Sequence, residues 1–281
     1  MAGSGANQGT RMNAHSDNER LYPALTGVHY IEFLTAMHAH MNPNWYFEIG
    51  TMTGESLVKA NCNFISVDPE FRLDRSVIGS QKEAHFFQCT SDEFFGSRRF
   101  GAIAESFDLA FLDGMHLFEY LLRDFIGAEK LAGQGAAIVL HDIVPITYVA
   151  AKRTWDSKET FAWTGDVWKI IPVLRRLRPD LVIDVVDCPP SGLAVIRNLD
   201  PKNRVLEDQY DQIVKNFIGL EIDDFGKDVL AANLNVLSHL STRLRVFCGN
   251  AFRQSSKLPS SKGNHGTFAM QHFGYRPHKG R

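Results

Sequence analysis

The chain is organised around Tyr46-Phe-Glu-Ile-Gly-Thr-Met-Thr-Gly-Glu-Ser56, a short apolar run that ends in an acid and opens into two glycines four residues apart. Gly50 and Gly54 let the backbone leave a strand sharply and leave room for a ligand against bare main chain. The pattern predicts the first strand of a parallel α/β sheet, a nucleotide-binding turn, and a helix from about Gly54 to Ala60 whose free N–H groups face the ligand. A dinucleotide fingerprint, G-x-G-x-x-G, is not met, because Met52 occupies its middle position.

Further strands come in order. Phe64 to Asp68 is the second, and Asp68, 20 residues after Glu48, is placed to accept hydrogen bonds from two ribose hydroxyls or to cap a helix beginning at Pro69-Glu70. His85 to Cys89 is the third, leaving into a short helix that Ser91 or Asp92 can cap. Phe107 to Leu112 is the fourth and ends in Asp113-Gly114, before a helix over 117–131. Ala136 to Leu140 is the fifth and ends in His141-Asp142. Ligands of parallel sheets gather at the carboxyl edge, so Asp113, His116, His141 and Asp142 are expected to be neighbours. Strands at 181–186 and 192–196, joined by Cys188-Pro-Pro-Ser-Gly192, form a closing antiparallel hairpin. Helices are expected at 27–41, with His29, His38 and His40 as surface or helix-end residues, and at 206–220 and 228–246. The stretch from Pro145 to Trp168 crowds Tyr148, Trp155, Phe161, Trp163 and Trp168, either as an acceptor pocket or lid or as core packing. Trp163-Thr-Gly-Asp-Val-Trp-Lys169 reads as a helix start.

Three blocks, Glu48-x-Gly50-x-x-x-Gly54, Phe107 to His116, and Val139 to Ile143, stand in the order of the class I S-adenosylmethionine-dependent methyltransferases. Over roughly residues 44 to 198 the chain resembles their small-molecule subgroup, the sugar and catechol-type O-methyltransferases. The resemblance implies a Rossmann-like, doubly wound, seven-stranded α/β sheet, mostly parallel with an antiparallel last strand, plus extra C-terminal helices. It implies S-adenosylmethionine held by Glu48, Gly50, Thr51, Gly54, Asp68, Ser91 and Asp92, with Ser91 or Asp92 at the adenine. It further implies methylation of a small-molecule hydroxyl by in-line displacement, which needs alignment and a route for the hydroxyl proton. In the metal-dependent members an Asp after the fourth strand and an Asp-Asn pair after the fifth hold magnesium. Asp113 and Asp142 match the acids, while His141 precedes Asp142 and Ile143 takes the place of Asn. The cation is then Mg2+ or another divalent ion, with manganese, iron or zinc favoured if His141 binds it. Otherwise His116 or His141 is the general base. A metal-independent methyltransferase with a histidine base, working on an oxygen or nitrogen acceptor, and a catalytically silent nucleoside-binding or interaction domain remain the alternatives.

The 281 residues, 44% hydrophobic and 22% charged, suffice for one catalytic domain over 21–200, with 1–20 as a disordered N-terminus, helices over 201–250 and a basic flexible tail over 251–281. Four scattered cysteines without a C-x-x-C pair suggest neither a disulfide framework nor a zinc site. No apolar run is long enough to span a membrane, and a cytoplasmic location is expected. The formal charge of −2 combines an acidic body with a tail that has no acid after Asp228. With no basic groove interleaved with aromatics, nucleic acid is not the expected partner. A homo-oligomer is left open.

Overall fold

A computed structural model describes residues 20–238, except positions 98 and 161. Residues up to 19 and everything from residue 239 lie outside the described residues, including the basic tail and the end of the last expected helix. The chain runs α1 (Tyr30–Met41), β1 (Trp45–Ile49), β2 (Asn63–Val67), β3 (Ala84–Phe87), α2 (Ser91–Gly96), β4 (Phe107–Leu112), α3 (Phe118–Glu129), β5 (Ala132–Leu140), α4 (Ile170–Leu177), β6 (Val182–Val186) and β7 (Leu193–Arg197). Four short helices complete it: α5 (Val205–Asp208), α6 (Tyr210–Phe217), α7 (Ile222–Phe225) and α8 (Lys227–Leu234).

The strands form one seven-stranded sheet in the order β3-β2-β1-β4-β5-β7-β6. Pairs among β1 to β5 are parallel, and β7 runs antiparallel to both β5 and β6. This is the doubly wound architecture, with the chain reversal between β1 and β4 setting the crevice at their carboxyl ends. The central strands are apolar on both sides because both sides are covered. On one face Phe47, Ile49, Leu112, Ile138 and Leu140 pack with residues of α2, α3, α4 and the C-terminal helices. On the other, Tyr46, Leu109, Phe111 and Val139 pack under Phe33, Leu34 and Met37 of α1.

Three expectations need correction. No α-helix follows Gly54: Leu57–Lys59 form a single 3-10 turn before β2 begins at Asn63. So short a segment, with a β-branched residue and asparagines, cannot repay the cost of helix nucleation, and α1 occupies that face of the sheet instead. The expected helix at 206–220 is broken at Gln209, whose ψ of 7° leaves helical geometry and separates α5 from α6. The expected helix at 228–246 stops at Leu234, where Asn235 adopts a left-handed conformation (φ 44°) that closes the last turn.

One buried ion pair ties α3 to the exit of α4. Arg178 meets both oxygens of Glu129, at 2.6 and 2.9 Å, and both side chains are almost wholly inaccessible. Such a pair is costly to break because the survivor stays charged and buried. Asp180 also bonds Arg178, so Glu129→Ala is expected to cost about 3 kcal/mol, the low end for a broken buried pair. Urea unfolding of the purified variant measures it.

Candidate active site

The carboxyl ends of the central strands are locked in sequence by backbone bonds just past each strand. Gly50 N–H donates to Val67 O (3.0 Å), Asp113 N–H to Ile49 O (2.9 Å), and His141 N–H to Leu112 O (3.2 Å). Gly50 has φ 85°, and a Cβ there would lie 1.9 Å from the carbonyl oxygen of Asp113. Only glycine fits that contact, so the first motif glycine is required for docking β1 against the end of β4 as well as for the turn.

At this edge four of the expected residues converge. His141 Nδ1 lies 3.2 Å from Asp113 Oδ1 and 3.5 Å from Asp142 Oδ1. His116 Nδ1 lies 3.2 Å from Asp142 Oδ2 and 3.0 Å from the Trp163 carbonyl, and His116 Nε2 lies 3.6 Å from Asp113 Oδ1. All the groups facing His116 are acceptors, Trp163 O and Asp142 at Nδ1 and Asp113 at Nε2, so the ring is held in its doubly protonated form. Burial alone would raise the Asp113 carboxyl, but the charge of His141 and hydrogen bonds from both histidines hold it well below the usual carboxylate range. Burial alone would lower the two imidazoles. The hydrogen bond to Asp113 and the charge of Asp142 raise His116 above its ordinary value, and the charges of Asp113 and Asp142 raise His141. Two carboxylates and two imidazoles thus form a balanced cluster.

Residues without a distinctive sequence signal brace the cluster. Asp142 sits at φ 59°, a strained conformation for a non-glycine residue, and the Ser191 hydroxyl, from the turn between β6 and β7, donates to its Oδ1. The Tyr30 ring, at the start of α1, packs 4.4 Å from the His141 ring. Burial, then the charge of Asp113, raises the Tyr30 phenol, so it stays protonated. His141 Nε2 is buried with no partner among the described residues.

The Trp163–Lys169 run precedes α4 and clamps His116. Beyond the Trp163 carbonyl bond, the Trp163 ring stacks on the His116 imidazole with centroids 5.2 Å apart. Gly165, at φ 62°, lies so close that a Cβ would fall 1.7 Å from the His116 carbonyl oxygen. Asp166 Oδ1 accepts from Phe118 N–H, capping α3 where Leu117 offers no side-chain cap. The remaining Asp166 oxygen is held by Arg153 and Lys169. The aromatic segment is therefore divided: Trp168 is core, Trp163 backs His116, and Trp155 stacks on Trp163 with 59% of its surface exposed. Phe161 lies outside the described residues.

The expected cofactor residues are less uniform. Glu48 is fully buried; its Oε2 accepts from the Tyr46 hydroxyl at 2.6 Å, and desolvation lifts its carboxyl to about 7. Thr51 is buried with its hydroxyl 2.6 Å from Ser66 Oγ. Asp68 accepts Met52 N–H (2.8 Å) and Glu70 N–H (2.7 Å), one on each oxygen, which pins the glycine turn to the end of β2 and leaves a lone pair on each. Thr90, not Ser91 or Asp92, caps α2, in a capping box with Glu93. Asp92 is engaged by Arg123 at 2.8 Å on both oxygens. His29 caps α1, whereas His38, expected at the surface, is buried against Tyr46, and desolvation lowers its imidazole to about 4.

The sheet order is the one the resemblance implies, the Rossmann-like, mostly parallel seven-stranded fold of the class I S-adenosylmethionine-dependent methyltransferases. Residues 47–143, from inside β1 to just past Asp142, match the profile of a family described as "Methyltransferase domain". No curated protein sequence matches the chain. Among solved structures it is similar to an O-methyltransferase from Bacillus cereus in complex with SAH, at 16% identity, covering 62% of this chain and 83% of that one, with a TM-score of 0.46. It is also similar to the O-methyltransferase TomG of Streptomyces achromogenes, involved in tomaymycin synthesis and solved with SAM, at 17% identity, covering 60% of this chain and 78% of that one, with a TM-score of 0.44. Among the described residues, no helix is long and apolar enough to cross a membrane.

Asp124 of α3, not singled out by the sequence, is also buried. Its Oδ1 has no partner, and desolvation lifts its carboxyl to about 7 against the pull of Ser91. The folded protein therefore keeps a proton that the unfolded chain releases near pH 4. The stability this contributes is fully present below about pH 4 and declines as pH rises through about 7, at up to about 1.4 kcal/mol per pH unit for one group. Asp124→Asn is expected to flatten the decline by that amount in denaturant titrations between pH 4 and 7.

Proposed function

We propose that this protein is an S-adenosylmethionine-dependent methyltransferase that methylates a hydroxyl of a small molecule. The observation that carries the reading is the convergence of Asp113, His116, His141 and Asp142 at the same sheet edge as the glycine turn and Asp68. The free lone pairs of Asp68 would take the ribose hydroxyls, and Ser91, at the start of α2, would face the adenine. Glu48 would act from beneath the turn, through Tyr46, because its carboxyl is sealed from solvent.

His116 is the better candidate base. Its side chain is 28% exposed and that of His141 is 9% exposed, so only His116 opens toward an incoming acceptor. Its Nδ1–H is held by Trp163 and Asp142 and its Nε2 lies 3.6 Å from Asp113, so the neutral ring that can take a proton forms as pH rises through about 9. His141, packed under Tyr30, would orient Asp113.

The donor set also fits a divalent cation. Atoms of Asp113, His141 and Asp142 lie within 4.8 Å of one another, and the nitrogen-to-oxygen separations of 3.2 and 3.5 Å resemble the roughly 3 Å between adjacent donors around a six-coordinate ion. Asp113 and Asp142 would hold it, with His141 as a nitrogen donor that suits manganese, iron or zinc better than magnesium. Ile143 is wholly buried and offers nothing. Such an ion would lower the acceptor hydroxyl's pKa.

Calorimetric titration with S-adenosylmethionine is expected to give micromolar binding, with or without chelator, that Asp68→Ala weakens at least tenfold. No binding to the folded protein would leave the silent-domain reading in its place. With a labelled methyl group and a panel of catechol and sugar acceptors, His116→Gln is expected to lower kcat about 100-fold or more with cofactor affinity unchanged. Full activity in that variant would remove His116 as base.

A further inference from the structure

The crossover from β1 to β2 holds one 3-10 turn, Leu57–Lys59, so no full ladder of free N–H groups and no helix dipole stands behind Gly54 to receive an anion. A cofactor with an amino-acid tail brings a carboxylate to this place. The acids surrounding Tyr30 at the site are Glu48, Glu55, Asp113 and Asp142. Glu48 is lifted toward neutrality and Asp113 and Asp142 are paired with the histidines, so none of the four gives a carboxylate a positive partner.

The β2–β3 connection, 68–83, has no helix and folds back over the glycine turn. Arg72 N–H donates to Met52 O (2.9 Å) and Asp74 N–H to Thr53 O (3.4 Å). A Cβ on Gly54, itself at φ 83°, would lie 2.6 Å from Val77 Cγ1, 3.1 Å from Leu73 Cδ2 and 3.9 Å from Arg75 Cγ. The aliphatic stem of Arg75 thus passes over the second motif glycine. Its Nε donates to Asp74 Oδ1 at 2.6 Å, its two terminal nitrogens have no partner among the described residues, and its charge interacts with Glu55 and Tyr30.

We infer that Arg75 anchors the α-carboxylate of the cofactor's amino-acid tail, taking over the task of the missing helix N-terminus. The assignment rests on the methyltransferase reading. With Nε occupied by Asp74, the guanidinium offers its two terminal nitrogens, and Asp74 fixes the plane in which they lie. Glu55, the acid around Tyr30 that is neither buried under the turn nor paired with a histidine, is left to the tail's ammonium.

The test compares S-adenosylhomocysteine with 5′-methylthioadenosine, which keeps the nucleoside and thioether but lacks the amino-acid tail. Both are titrated into the full chain as wild type, Arg75→Ala and Arg75→Lys, with melting curves as a check of folding. The expected result is at least a tenfold loss of S-adenosylhomocysteine affinity in Arg75→Ala, partial recovery in Arg75→Lys, and 5′-methylthioadenosine affinity unchanged throughout. If Arg75→Ala binds S-adenosylhomocysteine within twofold of wild type, or weakens both ligands equally, the anchor assignment is wrong while the cofactor reading stands. If neither ligand binds the wild type, both fall together.

Discussion

The site depends on the backbone contact between Gly50 and Asp113. No side chain intervenes there, since a Cβ at Gly50 would overlap the Asp113 carbonyl, and Asp113 N–H is already bonded to Ile49. That contact fixes the end of β4 relative to the turn after β1. Because His141 N–H is bonded in turn to Leu112, it also fixes where β5 delivers His141 and Asp142. Three strand ends therefore share one reference, and the spacing of the charged cluster comes from sheet geometry rather than from side-chain flexibility.

Holding those charges in place needs support from a segment with almost no regular structure. Between Ile143 and Asp166 the chain forms neither helix nor strand among its described residues, yet it contacts the His116 loop at the Trp163 carbonyl, the Trp163 ring, the Gly165 backbone and the Asp166 cap. Asp166 is nearly inaccessible but paired with Arg153 and with the equally buried Lys169, so the cap is anchored by a buried ion pair that cannot relax into solvent. A loop made rigid in this way can carry an exposed ring such as Trp155 at a defined distance from the imidazole.

Periodicity and position account for the part of this arrangement that is legible in the sequence. β4 and α3 fall where the apolar patterns place them, and Asp113, His116, His141 and Asp142 meet because strand ends in a parallel sheet must. The 3-10 turn in place of a helix after Gly54 was not legible, because the glycine pattern fixes the turn and says nothing about the conformation of the few residues left before the next strand. Tyr30, Ser191 and Arg75 come from segments distant in the chain, and only tertiary packing brings them to this edge. The Trp163–Lys169 run stood out, but its role needed three dimensions: a tryptophan, a glycine and an acid spaced within four residues clamp a loop whose histidine lies 47 residues earlier.

On the methyltransferase reading, the balance of the cluster has an electrostatic reason. A sulfonium is a cation whose charge is lost as the methyl group leaves, so bare carboxylates beside it would bind the reactant more strongly than the transition state and slow transfer. Here each acid is compensated. Asp113 faces both imidazoles, and Asp142 faces both as well as the Ser191 hydroxyl. Glu48 is sealed below the turn and lifted toward neutrality. The paired acids thus set geometry with little net field.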